Sequence, residues 1–221
     1  MEVTIGSVPV PGQRCGTEVV PRVRVVQDRP RYSGFMKREA LAVVVLTAGM
    51  ADAASADLMK GLMSDGVFRQ VRPVPADRLL RGERGYDLLP AQFGGDWSVV
   101  LGGTTNTAST VHFSFMGGRK ALDTGGATIG KLLGRMTGRA AVSCFNVGTE
   151  RLPNLRSWLE TAVRAAQNTT QERSFGPLKV QLLVNRTDGD ADSPDGLAEV
   201  DVRLSRRGTP GTAPWVNTCT K

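Results

Sequence analysis

The sequence predicts an α+β fold: a single domain in which an antiparallel sheet has an amphipathic helix packed on one face. Three observations carry this prediction. Several segments alternate apolar and polar residues, turn-like connections join neighbouring strand segments, and one segment has unbroken helical periodicity. A parallel sheet with crossover helices would need a regular alternation of strand and helix patterns, which this chain lacks.

The first half of the predicted domain contains one helix and three extended segments. Residues 57–66 carry apolar residues at helical spacing and end on Gly66, which predicts a short helix. Two prolines in 72–75 favour an extended segment. Residues 97–101 and 110–115 alternate as strands, and the glycine pair after the first of them makes their antiparallel pairing plausible.

The second half contains the clearest helix and a hairpin. Residues 117–138 are rich in glycine and predict a loose helix, followed by strand character at 140–145. Residues 153–167 have a continuous apolar face and predict the amphipathic helix of the fold. The alternating segments 178–184 and 199–204, joined by an acidic loop, predict a hairpin with one buried face.

Residues 36–56 have the pattern of a bacterial secretory signal peptide. A basic pair follows Met36, an apolar run covers 40–50, and two small-x-small cleavage sites end at Ala53 and Ala56. The run is too short to span a bilayer, so no transmembrane anchor is expected after cleavage. The alternative is a buried helix of a cytoplasmic protein, because a run of this length fits both.

This leader divides the chain into three parts. Residues 1–35 lack strand or helix periodicity. We interpret them as a non-native extension, because the signal pattern predicts that translation begins at Met36, or as a disordered one. The alternative is a basic arm that contacts nucleic acid. Residues 57–221 form the single exported domain. They hold 21 basic and 16 acidic residues, a net charge of +5. This charge is compatible with contact to anionic envelope polymers but does not by itself imply it.

Cysteine usage also favours export from the cytoplasm. Cys15 lies in the extension, which leaves Cys144 and Cys219 in the domain. An even pair in an exported protein predicts a disulfide, because the periplasm and the cell exterior are oxidising. The alternative is one buried thiol and one loose terminal thiol. The sequence thus predicts a periplasmic or secreted protein.

The glycine-rich segment 125–132 resembles a phosphate-binding loop in its glycine and lysine spacing. Leu132, however, stands where a Ser or Thr should hold the magnesium ion, and no hydrophobic strand precedes the segment. We therefore interpret it as a flexible glycine-rich connection.

The acidic loop before the last predicted strand is a candidate calcium site. Asp188, Asp190, Asp192 and Glu199 occupy positions one, three, five and twelve of an EF-hand-like spacing, and a hard cation prefers such converging oxygens. Ser193 stands where glycine makes the sharp turn, and the flanking segments are strand-like. The alternative is a solvated acidic hairpin turn with no cofactor.

His112 is the one histidine in the chain and the candidate catalytic residue. Its position on the polar face of a strand leaves an acid/base role open. The chain has no GxSxG motif for a serine hydrolase. Carboxylate pairs such as Asp87 with Asp96 cannot be placed together from sequence, so glycosidase chemistry is neither supported nor excluded.

These observations favour an exported bacterial envelope or extracellular protein without enzymatic activity, which binds an envelope partner or a small ligand. One alternative is a secreted hydrolase that uses His112 or carboxylates, which should collect them in a cleft. A second is a cytoplasmic, basic nucleic-acid-binding protein, but aromatic and basic residues are too thinly interleaved to favour base stacking. A binding protein should instead show an apolar groove or patch.

Overall fold

The computed structural model describes residues 55–91, 94–189 and 194–221. The strands are β1 (Ser55–Ala56), β2 (Phe68–Pro73), β3 (Arg84–Pro90), β4 (Asp96–Gly102), β5 (Thr110–Gly118), β6 (Thr169–Phe175), β7 (Leu178–Arg186), β8 (Leu197–Arg206) and β9 (Thr218–Cys219). The helices are α1 (Leu58–Ser64), α2 (Arg119–Phe145) and α3 (Leu152–Ala165). The predicted extension 1–35 lies outside the described residues, as does the predicted leader except for Ser55 and Ala56.

The core of the fold is a seven-stranded antiparallel sheet in the order β2-β3-β4-β5-β8-β7-β6. The predicted pairing of β4 with β5 is present, and so is the predicted β7–β8 hairpin. Alternate residues of these strands are buried, for example Phe113 in β5 and Val202 in β8, which lie opposite each other. Helices α2 and α3 pack against each other and contact the sheet, and α1 contacts both α2 and the edge strand β2. The predicted α+β class is confirmed, because one helical layer packs against an antiparallel sheet.

Helix α2 is longer than the sequence pattern predicts. It runs without a break from Arg119 to Phe145, so the predicted strand at 140–145 is wrong, and so is the flexible connection at 125–132. The backbone N–H groups inside a helix bond to the helix itself, so this segment cannot form a phosphate-binding loop. The helix ends at Asn146, whose left-handed φ of 55° stops it.

The glycines of α2 have a packing role. Four of them recur every fourth residue and therefore share one face, which lies against α3: Gly126, Gly130, Gly134 and Gly138. A Cβ added at Gly130 would lie 2.8 Å from the Cα of Glu160, and one at Gly134 would lie 3.3 Å from the Cα of Arg156. The absence of side chains thus allows the two helix backbones to approach closely. This packing explains a glycine content that is unusual for a helix interior.

The C-terminal segment is fixed to the end of α2. Cys144 and Cys219 form a disulfide across a sequence separation of 75 residues. The indole Nε1 of Trp215 donates a hydrogen bond of 2.6 Å to the carbonyl oxygen of Cys144. β9, which contains Cys219, pairs in parallel with β1. Within the described ranges, no helix is long and apolar enough to cross a membrane.

Candidate functional site: the open face of the sheet

One face of the seven-stranded sheet carries exposed apolar side chains. Six large apolar residues are exposed in the described part of the chain, and strand alternation places four of them on the face opposite the buried residues. These four are Leu89, Met116, Leu183 and Leu197. We call this surface the open face. Four exposed apolar side chains on one face of a sheet make that face a candidate surface for contact with a ligand or a partner.

His112 lies on the open face, on the central strand β5. Its side chain is 40% exposed, and its Nε2 lies 3.1 Å from Oδ1 of Asp201 on β8. The backbone partner of Asp201 across the strand pair is Ser114, so the His112–Asp201 contact is diagonal. Nε2 approaches Oδ1 closely, but the oxygen has no hydrogen-bond donor with aligned geometry among the described residues. The two atoms are therefore in close polar contact without forming a linear hydrogen bond.

Two carboxylates next to His112 have opposite pKa shifts. Burial tends to raise the pKa of Asp201, but its interactions with His112 and Ser114 outweigh burial and lower the pKa overall. Burial raises the pKa of Glu199, and the negative charge of Asp201 adds to this effect. Glu199 and Asp201 are two residues apart on β8 and therefore face the same side. Asp201 is the ionised partner of His112, and Glu199 is the carboxylate that is harder to ionise.

These shifts predict opposite effects on stability. The fold favours the ionised form of Asp201, so its contribution is present above its unfolded pKa and is lost as pH falls through its folded pKa. The fold disfavours the ionised form of Glu199, so ionisation of Glu199 weakens the fold as pH rises through its raised pKa. We expect Asp201→Asn to lower the free energy of unfolding at pH 7 by about 1 kcal/mol. Glu199→Gln should raise it by no more than about 0.5 kcal/mol.

Urea unfolding of the two variants at pH 7 and pH 3 measures these effects. Both effects should be smaller at pH 3, because protonation of the native carboxylates then removes much of the difference from the variants. A loss of stability in Glu199→Gln at pH 7 that equals the loss in Asp201→Asn would contradict the opposite shifts.

The arrangement differs from a serine hydrolase triad. Both His112 and Ser114 interact with Asp201, so the carboxylate lies between them. In a triad the histidine lies between the serine and the acid, because it must take the proton of the serine hydroxyl. The His112–Asp201 contact therefore does not activate Ser114 as a nucleophile.

A shallow cavity of about 480 Å³ adjoins this pair on the open face. Ser98 and Ser114 lie opposite each other across β4 and β5 and line the cavity, together with Met116. Asp87 and Asp96 also line it, so the structure brings together two carboxylates that the sequence could not place. The cavity can accept a ligand with hydrogen-bonding groups and an apolar portion, because it combines hydroxyls, carboxylates and apolar side chains.

The candidate calcium ligands are only partly described. Asp190 and Asp192 lie outside the described residues. Asp188 forms an ion pair with Arg119 at 2.7 Å, whereas Glu199 interacts with Asp201 on the open face. Across the residues that the structure describes, no group of three metal-ligating side chains occurs. The calcium site stays a prediction for a loop whose centre the structure does not describe.

Comparisons of the chain with protein families, with characterised proteins and with solved structures found no match.

Proposed function

We propose that the chain is an exported bacterial protein of the cell envelope or the extracellular space, and that it binds a partner or small ligand on the open face without catalysing a reaction. Four of the six large apolar side chains that are exposed in the described residues lie on that face, and this placement carries the proposal. The Cys144–Cys219 disulfide supports export, because such bonds persist in oxidising compartments. The signal-like pattern at 36–56 gives independent support.

The pairing of β1 with β9 favours one of the two predicted cleavage sites. Cleavage after Ala56 would remove Ser55 and Ala56, which pair with Thr218 and Cys219. Cleavage after Ala53 would leave both residues in the exported protein. We therefore propose Ala54 as the first residue after cleavage.

One experiment tests export and binding together. A photoreactive amino acid replaces Leu183 on the open face, and the chain is expressed in the source cells, irradiated and fractionated before intact mass measurement. The matched control carries the same amino acid at Leu80, which is 75% exposed against 36% for Leu183. We expect the mass of a chain that begins at Ala54, and this mass should rise by about two mass units on reduction. A discrete adduct should form with the probe at Leu183 and not with the probe at Leu80.

The outcomes separate the two parts of the proposal. A full-length species in the cytoplasm with free thiols would contradict export. Adducts that are equal at both positions, or stronger at Leu80, would follow exposure alone and would contradict binding by the open face.

A secreted hydrolase is the second candidate, and the carboxylates of the open face favour it. His112 contacts Asp201, and the cavity next to them contains Asp87 and Asp96. Paired carboxylates about 5 to 9.5 Å apart can perform glycoside hydrolysis. The side chain of His112 is 40% exposed, so water reaches it freely, and for this reason we prefer binding. An exported protein without an adduct at Leu183, whose cellular phenotype is lost in a stably folded His112→Ala variant, would favour the hydrolase.

A further inference from the structure

The charge of the domain is concentrated in its helical layer. Helices α2 and α3 contain seven basic and two acidic residues, whereas the rest of residues 57–221 contains fourteen of each sign. The net charge of +5 therefore belongs entirely to these two helices. A charge that is merely compositional would be spread over the whole surface, so this separation points to a charged binding surface.

Four of the five cations of α2 lie in one row along the solvent side of the helix, and two threonines separate the first of them from the other three. The row contains Lys120, Thr124, Thr128, Lys131, Arg135 and Arg139. Their spacings of three and four residues place all six within about 100° of the helix circumference. The row is about 28 Å long at the rise of an α-helix. It contains no acidic residue.

A second, shorter row of cations lies alongside on α3. Arg156 and Arg164 are exposed and stand next to the glycine face of α2. The Cα of Arg164 lies 3.9 Å from the position of a Cβ on Gly126, so the arginine backbone is directly against the helix. The close contact that the glycines permit thus brings the cations of α3 beside those of α2.

Few of these cations are neutralised by neighbouring acids. Arg139 pairs with Asp65 at 2.6 Å, and Lys131 approaches Glu160 at 3.8 Å. The remaining four form no ion pair with any residue that the structure describes, and they are Lys120, Arg135, Arg156 and Arg164. Their charges are available to an external anion.

Cavities between the cations provide places for individual anionic groups. A cavity of about 420 Å³ has Arg135, Arg139 and Arg156 in its lining, with Asp65 as its one acidic residue. Arginine binds phosphate with two parallel hydrogen bonds, and four of the six cations in the two rows are arginines.

We propose that the basic strip, defined as Lys120, Lys131, Arg135, Arg156 and Arg164, binds a linear phosphate-bearing polymer other than a nucleic acid. Two parallel rows of cations match a linear chain of anions better than they match the flat anionic surface of a bilayer. A bilayer surface is disfavoured because none of the large exposed apolar side chains in the described residues lies on α2 or α3, so nothing on the strip inserts between lipids. The location of this polymer in the cell envelope rests on the proposed export, but the binding itself does not.

The test measures binding of long-chain inorganic polyphosphate to the full chain with its disulfide formed, over a series of salt concentrations. The test variant is Arg135→Gln, Arg156→Gln, Arg164→Gln. The matched control is Arg78→Gln, Arg81→Gln, Arg207→Gln, which removes the same charge from exposed arginines that form no ion pair in the described residues. Any contribution of the basic residues in 1–35 is common to all three proteins.

We expect the wild type to bind with an affinity that falls steeply as salt rises. The test variant should bind at least about tenfold more weakly. The slope of log K against log salt should be smaller by about 2, because each bound cation releases roughly 0.7 counterions from a single-stranded polyanion and the variant lacks three such cations. The control should lose less than about threefold. Should the test variant unfold, Arg135→Gln alone provides the same comparison with Arg81→Gln.

Several results would overturn the proposal. The wild type could fail to bind polyphosphate, or the test and control variants could lose affinity equally, which would mean that net charge alone attracts the polymer. Tighter binding to phosphatidylglycerol vesicles at the same salt concentration would show that the strip is a membrane-docking surface. Tighter binding to duplex DNA would show that it is a nucleic-acid-binding surface. None of these results bears on export, which the mass measurement tests separately.

Discussion

Replacing both disulfide cysteines, Cys144→Ala with Cys219→Ala, is expected to lower the free energy of unfolding by about 2 to 4 kcal/mol. The bond closes a loop of 75 residues that contains α3 and the strands β6 to β8. In the chain-entropy model, loss of the bond frees this long loop in the unfolded state and so stabilises unfolded conformations. Trp215 and Asn217, which donate to carbonyl groups of α2, should keep the C-terminal segment in place in the native variant.

Urea unfolding of the double variant and of each single variant measures this effect. If the cross-link is the cause, either single substitution should cost nearly as much as the double one, since each breaks the same bond. Both cysteines are fully buried, so packing is the competing explanation. Additive single effects of unequal size would show that packing at each site, rather than the bond, stabilises the domain.

The strands with strong alternation could be predicted from sequence, and the weakly patterned ones could not. β4, β5, β7 and β8 occupy the middle of the sheet and bury one complete face, so their apolar residues alternate clearly. β6 lies at the edge and is mostly exposed, and no strand was predicted there. An edge strand makes part of its contacts through the backbone alone, which leaves little trace in the side-chain pattern.

The strand alternation also predicted one part of the candidate site, the position of His112, but not its partner. The polar alternation of β5 placed His112 on the side of its strand opposite the buried residues. Its partner Asp201 could not be predicted, because α2, α3, β6 and β7 separate β5 from β8 in sequence although the two strands pair in the sheet. When two paired strands are this far apart in sequence, their register depends on tertiary packing and not on any local pattern.

The full length of α2 was not predicted, because glycine in a sequence can indicate either a break in a helix or close packing between two helices. Glycine lowers helix propensity by about 1 kcal/mol relative to alanine, which favoured a loose or broken segment. The spacing of four residues between successive glycines was the signal that could have indicated a helix packed against a second helix, since it places them on one face. The apolar residues after Gly138 are buried between the helices and the sheet, and a short buried helical segment has the same apolar run as a buried strand.

Substitution of two glycines of α2 is expected to have opposite effects on stability. In Gly130→Ala the new Cβ would lie 2.8 Å from the Cα of Glu160, and a backbone atom cannot rotate away as a side chain can. The helices must separate, which should lower the free energy of unfolding by about 1 to 3 kcal/mol. In Gly125→Ala the new Cβ meets only Ile129 Cδ1, at 3.9 Å, which is an ordinary contact.

Gly125→Ala is therefore expected to raise the free energy of unfolding by about 0.5 to 1 kcal/mol, because alanine has the higher helix propensity and a less flexible unfolded chain. Both changes add one methyl group to the same helix, so the comparison isolates the contact with α3. Urea unfolding followed by circular dichroism measures both values. If Gly130→Ala proved as stabilising as Gly125→Ala, helix propensity would dominate and the close approach of α2 and α3 would not depend on glycine.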